Sequence, residues 1–580
     1  MKKILKLVVL ILTISFASCE DFLDRAPLDE VSEASFYTTA DHLKAAVSGF
    51  YNDLPGWTAL SVGINTLPDM NTDTGISTSP SNRFVGIYTV ATTSNNTQWR
   101  TQFINIREIN WLIDHFDQVS ADEDETLVNQ YSGEAYFFRA YYYFELLTAY
   151  GDLPIFDQYF DNTDEEYVFA ARDPRNEVVD FMLEDLDTAI SLLQSFPNID
   201  GHPRVSKEAA QLFKARVALY EGTWEKYHSG TVYGVDGSDG STYLQIAADA
   251  AEDVIDGGVF SLHSDYKSLF NQVGYSGNTE VMLWRDYNSI EFGQANILQQ
   301  QWPNGSGFTR FSIESYLCTD GLPTALSPLF TDGDDDDLTT IEDNRDPRLA
   351  ASLMVPGDIV QIDPDGTETY WEYPNFAAST ATLTGYEFEK YRNVYYDETY
   401  TNFTEDTSRI IFRLGEALLI FAEAKAELGT ITQADLDKSI NELRDRAGMP
   451  GITLGAIPTD PNWPDYGYTL TNILYEVRRE RTVELLAEGF RADDLYRWRA
   501  HNLFDGDQPR GAYLEDGTVN TTISASELTL DEDGYILPFA SFLGGASGAY
   551  DFDENKAYLI SIPTDEIILN PNLTQNPGWE

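Results

Sequence analysis

The chain has 580 residues, enough for one large core or for two or three domains, and 42% of them are hydrophobic with no long apolar run beyond the first twenty positions. Its 95 acidic side chains outnumber 37 basic ones for a net charge of −58, which argues against nucleic acid as a partner because neutralising phosphates takes a basic face. Anionic polysaccharides are repelled on average as well, although a local basic pocket could override that.

The N-terminus reads as an export signal: Lys2 and Lys3 give a basic start, Ile4 to Phe16 are mostly apolar, Ala17 and Ser18 small, and Cys19 follows. The apolar stretch is too short to span a bilayer. Cleavage before Cys19 would make it the new N-terminus, open to diacylglyceryl attachment. Acyl chains contribute about 0.8 kcal/mol per buried methylene, so a multiply acylated cysteine anchors stably. The bland alternative makes Cys19 a small residue beside an ordinary cleavage site. The expectation is a lipoprotein signal over residues 1–18 and a lipid-anchored body over 19–580. Acylation of Cys19 leaves only Cys318, expected as a small buried residue, and no intrachain disulfide.

In chain order, residues 99–116 open a helical block that starts at Trp99. Residues 133–150 (GEAYFFRAYYYFELLTAY) carry apolar side chains on nearly every face and stop before Gly151 and Pro154, which predicts a buried helix. Residues 178–193 and 208–220 show the three- and four-residue apolar spacing of core-facing helices. Between about 229 and 407 the pattern fails. A Gly/Asp/Ser-rich stretch at 234–241, an acidic run at 332–337 and scattered Trp and Tyr predict a loop-rich lobe, and a second such stretch spans 55–98. Long irregular segments in a compact protein are functional or disordered, and the aromatic content favours binding. From about 408, helices are predicted at 410–428, 436–447 and 470–488, each finishing on a glycine (Gly429, Gly448, Gly489), the residue a left-handed C-cap favours. GEAYFFRA at Gly133 and GEALLIFA at Gly415 share a pattern whose small residues would let a neighbouring helix approach. Antiparallel pairs of this kind suggest tetratricopeptide units, without a clean period of roughly 34 residues.

Chemistry-bearing motifs are few. Asp332, Asp334 and Asp336 have the one-three-five spacing of a calcium loop, but Asp337 stands where the turn needs glycine and Asp343 where a bidentate Glu belongs. A solvated acidic loop is the better reading, with incidental calcium as the one minor cofactor. There is no HExxH, GxSxG or phosphate loop, and so many carboxylates guarantee chance pairs. No catalytic residue and no metal site is assigned, and an enzyme is not expected.

Seven segments carry a family resemblance: GEAYFFRAYYYFELLTAYGDLPI at Gly133, NRDPRL at Asn344, TGYEFEKYRN at Thr384, RIIFRLGEALLIFAEAKAELG at Arg409, INELRDRAGMP at Ile440, ERTVELLAEGFRADDLYRWR at Glu480 and SIPTDEIILNPNLTQNPGWE at Ser561. In this order they resemble the SusD/RagB family over essentially the whole chain. The resemblance implies a mostly α-helical scaffold of tetratricopeptide-like pairs with a loop-rich ligand-binding lobe. It implies an outer-membrane lipoprotein, facing the cell exterior, that captures a glycan and passes it to a SusC-like TonB-dependent transporter. An oligopeptide-capturing member of the family and, less well supported, a surface glycosidase stay open. Arg479, Arg481, Glu484, Glu488, Arg491, Asp494 and Arg497 mix both signs and are expected to form ion pairs in the scaffold. Asp346, Pro347 and Arg348 suit an anchored turn.

A neutral-glycan site should be a rigid aromatic platform with polar neighbours, because sugars present flat C–H faces and hydroxyl edges. In family members the ligand lies against loops from the N-terminal portion and the middle of the chain. Here the first offer Trp57, Asp69, Asn71, Asp73, Arg83, Tyr88, Asn96 and Trp99, and the second Trp284, Tyr287, Trp302, Phe308, Trp371 and Tyr373. Trp302, between Gln301 and the turn Pro303-Asn304-Gly305, is the preferred platform, with Tyr287, Trp284, Trp57 and Trp371 beside it and Asp73, Arg83 and Asn96 as polar partners. For any single aromatic the competing reading is core packing.

Overall fold

The structure is a computed structural model that describes residues 37–57, 68–90, 97–201, 203–287, 305–376, 382–395, 406–514, 528–542 and 548–580. Its main helices are α1 (Ala40–Ser48), α2 (Thr97–Ile113), α3 (Glu125–Tyr150), α4 (Arg175–Leu192), α5 (Lys207–His228), α6 (Ser241–Asp256), α7 (Leu414–Glu427), α8 (Ile440–Arg446), α9 (Asn472–Glu484) and α10 (Arg491–Arg497). Consecutive helices pack on one another from α2 to α6, and the stack continues through α7 to α9. The scaffold is thus mostly α, built from helix pairs in the tetratricopeptide manner. Helix α3 starts on Asp124, whose carboxylate accepts from Thr126 N, and ends at Gly151 with φ 75°. It is buried on nearly every side because α1, α2 and α4 all pack against it, which is why its sequence shows no polar stripe.

The two GEA segments use their glycines differently. A Cβ on Gly133 would lie 2.8 Å from Leu193 Cγ, so its absence lets the end of α4 approach α3. A Cβ on Gly415 would meet the Arg413 guanidinium instead, so that glycine makes room for a charge network and not for a helix.

Several boundaries differ from the sequence-based expectation. Residues 241–256, placed in the loop-rich region, form α6, with Tyr243, Leu244, Ala247, Ala251 and Val254 buried on one face. Residues 410–428 are divided: Arg409–Arg413 is a strand and the helix begins at Leu414. The predicted helix over 436–447 breaks into Gln433–Asp437, held by a Thr432/Asp435 capping box, and α8. Gly429 and Gly448 are left-handed caps, at φ 69° and 73°. Gly489 is not, since α9 stops at Glu484 and Gly489 N donates to Asp69 Oδ2 at 2.9 Å. Cys318 is buried with a free thiol. Among the described residues no helix is long and apolar enough to cross a membrane.

Three two-stranded antiparallel sheets sew distant segments together: β1 (Gly75–Ser77) with β3 (Ser306–Phe308), β2 (Val281–Arg285) with β6 (Arg409–Arg413), and β4 (Ile359–Ile362) with β5 (Glu368–Tyr370). Under the loop-rich lobe lies a second core that includes Trp57, Phe270, Trp284, Tyr287, Phe308, Phe388 and Tyr391. Buried ion pairs join it to the helical stack. Glu484 accepts from Arg348, Arg413 and Arg446, Glu488 from Arg413 and Lys390, and Glu480 from Arg348 and Arg444. Arg481 and Arg497 pair with Asp494, and Arg479 with Asp460. The mixed-charge helix is therefore scaffold, as its sequence predicts. Asp346 caps the turn helix Pro347–Ala350 and also holds Arg348 at 2.7 Å.

Candidate functional site

Trp57, Trp284 and Tyr287 do come together, but as filling of the second core and not as a platform. The Trp57 indole is 8% exposed, donates Nε1–H to Thr407 O at 3.0 Å and stands edge-on to Tyr391 at 5.0 Å. Its backbone N–H donates to the Tyr287 hydroxyl, and Arg409 covers its ring. Trp284 is 2% exposed and donates its indole N–H to Asp286. Rings committed in this way have no face left for a sugar.

The polar candidates are also committed. Asp73 takes a bidentate grip from Arg491, with Nε–Oδ1 at 2.8 Å and Nη2–Oδ2 at 2.5 Å. Its neighbour Asp69, at φ 68°, accepts from the backbone N–H groups of Gly489 and Arg491, and burial pushes its carboxyl up to about 6. Arg83 donates to the carbonyls of Ala557 and Tyr558 at 2.7 and 2.6 Å and lies 3.9 Å over the Tyr496 ring, so it docks the C-terminal tail. Tyr88 accepts from Asp553 N, Asn71 from Ser77, while Trp99 and Phe308 pack edge-on to Tyr150 and Phe388. Trp371 is half-buried and donates Nε1–H to Glu387 at 3.1 Å. Burial pushes the Glu387 carboxyl up to about 7. Trp302, Asn96 and Cys19 lie outside the described residues.

Among the described residues of the lobe, concave surface lies on two sides of the acidic run. The run is solvated in part, as the sequence predicts: Asp332, Asp334 and Asp337 are exposed, whereas Asp335 is buried and Asp336 half-buried. Asp335 turns inward to Arg310 at 2.7 Å, Asp336 accepts from the Tyr535 hydroxyl at 2.5 Å, and Asp334 and Asp337 accept from Thr331 N and Thr339 N within turns. On one side Asp336 and Asp337 border a cavity of about 300 Å³ with Tyr373, Tyr513, Phe376 and Ile536 around it. Tyr373 and Tyr513 are half-buried there, and Tyr513 stands edge-on to Tyr535 at 5.6 Å. On the other side Asp332 and Asp335 border a cavity of about 240 Å³ that extends to the loop carrying Trp463. Of the sugar-site candidates among the described residues, only Tyr373 lines either space. Tyr513, Trp463 and Tyr475 fall within stretches that read as ordinary loop and helix, so nothing in the sequence singled them out.

Residues 268–579, more than half of the chain, match the family model described as the SusD family. The chain belongs to the SusD family. Residues 21–219 match a second model, described as starch-binding and associating with the outer membrane. A SusD-like protein of Formosa agariphila, P2, is 24% identical, with 99% of each chain covered. Among solved structures, a SusD-like carbohydrate-binding protein of Bacteroides fragilis superposes with a TM-score of 0.70 at 21% identity, covering 93% of this chain and all of its own. A laminarin-binding SusD-like protein superposes with a TM-score of 0.55 at 18% identity, covering 93% of this chain and 100% of its own. At such identities the structural likeness establishes the shared fold. The SusD fold accordingly accounts for the helical stack and the lobe set on it.

Proposed function

We propose that this SusD-family protein is a non-catalytic, lipid-anchored receptor that captures a neutral glycan at the cell exterior and hands it to a TonB-dependent transporter. The supporting observation is the cavity bordered by Tyr373, Tyr513, Asp336 and Asp337, in which half-buried rings and carboxylate edges occur together in the lobe. Ring faces match the C–H faces of a pyranose, and carboxylates accept its hydroxyl protons. Asp336 is already committed to the Tyr535 hydroxyl, which suits holding a ligand better than general acid–base work. Family membership favours a carbohydrate, and the name of the laminarin-binding relative makes glucans a first choice for testing.

The test is calorimetry of the full chain against neutral oligosaccharides and oligopeptides, with product analysis of any glycan bound. The protein should bind an oligosaccharide and release no product. The double variant Tyr373→Ala, Tyr513→Ala should lose at least about tenfold in affinity while keeping its melting temperature. Binding of peptides alone, or unchanged affinity in the double variant, would overturn the assignment.

A further inference from the structure

We propose that the cavity beside Trp463 is a second sugar-binding site, separate from the one at Tyr373 and Tyr513, for a ring that carries no acidic substituent. Its ligand class rests on the glycan reading above. The indole of Trp463 lies parallel to the Tyr475 ring, with centroids 4.3 Å apart and planes 5° from parallel. Both residues are half-buried and both line the cavity. Tyr475 belongs to α9 and backs the indole with a helix anchored in the ion-pair network. The loop that carries Trp463 is pinned as well: Asp460 accepts from Asn462 N at 2.9 Å, its carbonyl accepts from Trp463 N at 3.3 Å, and its carboxylate holds Arg479 at 2.5 Å. A platform already fixed spends little ordering entropy on binding. The Trp463 Nε1–H is buried without a hydrogen-bond partner among the described residues, so the site is drawn from the ring and the polar rim, not from that donor. The volume, about 240 Å³, falls just short of the roughly 300–1,000 Å³ of ordinary ligand pockets and suits a single ring.

The charge of the lining sets the preference. Among the described residues two cations line the cavity, and each is already neutralised: Arg310 by Asp335 at 2.7 Å and Glu314 at 2.9 Å, Arg479 by Asp460 and by Glu476 at 3.2 Å. Asp332 stands exposed at the rim. The surplus is therefore negative, so a uronate or sulfate entering here meets like charge, whereas hydroxyl groups meet acceptors.

Saturation-transfer NMR with methyl glycosides of glucose, galactose, mannose and xylose, together with methyl glucuronide, tests this on the full chain. In the Tyr373→Ala, Tyr513→Ala background one neutral glycoside should still bind. That remaining signal should fall at least about tenfold on Trp463→Ala, which removes the platform, and also on Thr324→Trp, which fills the cavity from its half-buried rim without removing packing. The glucuronide should bind at least about tenfold more weakly than the matching neutral glycoside. Circular dichroism melts confirm that each variant is folded. Loss of all binding in the tyrosine double variant sinks the second site and leaves the first standing. So does remaining binding that neither Trp463→Ala nor Thr324→Trp changes. Glucuronide bound as tightly as the neutral glycosides sinks the charge selection. Failure of the unmodified protein to bind any sugar sinks the glycan reading and this site with it.

Discussion

Replacing Glu484 with glutamine removes one charge from the centre of the seam between stack and lobe while keeping the side chain's size. The carboxylate accepts from Arg446 Nη2 at 2.5 Å, Arg413 Nη1 at 2.8 Å and Arg348 Nη1 at 3.0 Å, and none of these side chains is more than 3% exposed. Burial alone would raise its pKa, but Arg446, Arg413 and Arg348 overcome that and hold the carboxyl well below the usual carboxylate range. Removing one partner of a buried ion pair costs about 3–5 kcal/mol because the other charges stay buried and unmatched. Arg348 keeps Asp346 and Glu480, and Arg413 keeps Glu280 and Glu488, so Glu484→Gln belongs at the lower end, about 3 kcal/mol. Among the described carboxylates Arg446 keeps only Glu280, at 3.3 Å, so it loses the larger share of its compensation. Urea unfolding followed by far-UV circular dichroism measures the cost, and a double-mutant cycle with Arg446→Met should return a coupling within about 0.5–3 kcal/mol. A cost below about 1 kcal/mol, or simple additivity with Arg446→Met, refutes the reasoning.

Two further outcomes follow from buried carboxylates. Glu387 and Asp69 are raised by burial to about 7 and about 6. Their folded pKa values exceed the unfolded ones, so their contribution to stability is complete below about pH 4 and is lost as pH rises through about 6 to 7. The melting temperature should therefore decline between about pH 4 and 7, and Glu387→Gln should flatten the decline; an unaltered slope contradicts the burial argument. For Asp73, whose carboxylate is gripped by Arg491, Asp73→Ala should cost about 3–5 kcal/mol in urea unfolding and leave glycan affinity unchanged at a permissive temperature. Weakened binding at unchanged stability would return Asp73 to the ligand site.

Local patterns in the chain were enough to give the class of fold. Residues 133–150, 178–193 and 208–220 announce helices because the signal, apolar spacing on a 3.6-residue turn, is carried by neighbours in sequence. The ordered family segments likewise specify the scaffold, and the mixed charges around Glu484 announce ion pairs. What depended on distant partners stayed hidden. Arg409–Arg413 leaves the helical pattern only because Val281–Arg285 lies beside it as a strand. The Gly415 hydrogen in place of a side chain serves Arg413, not a helix. The binding surface belongs to this second kind: a tryptophan's letter is the same whether it fills a core, as Trp57 and Trp284 do, or lines a cavity, as Trp463 does. The sequence by itself determined that this is a helical SusD-family scaffold rich in aromatic and acidic side chains. Only the tertiary structure decided which of them face solvent, because burial is set by contacts between segments hundreds of residues apart.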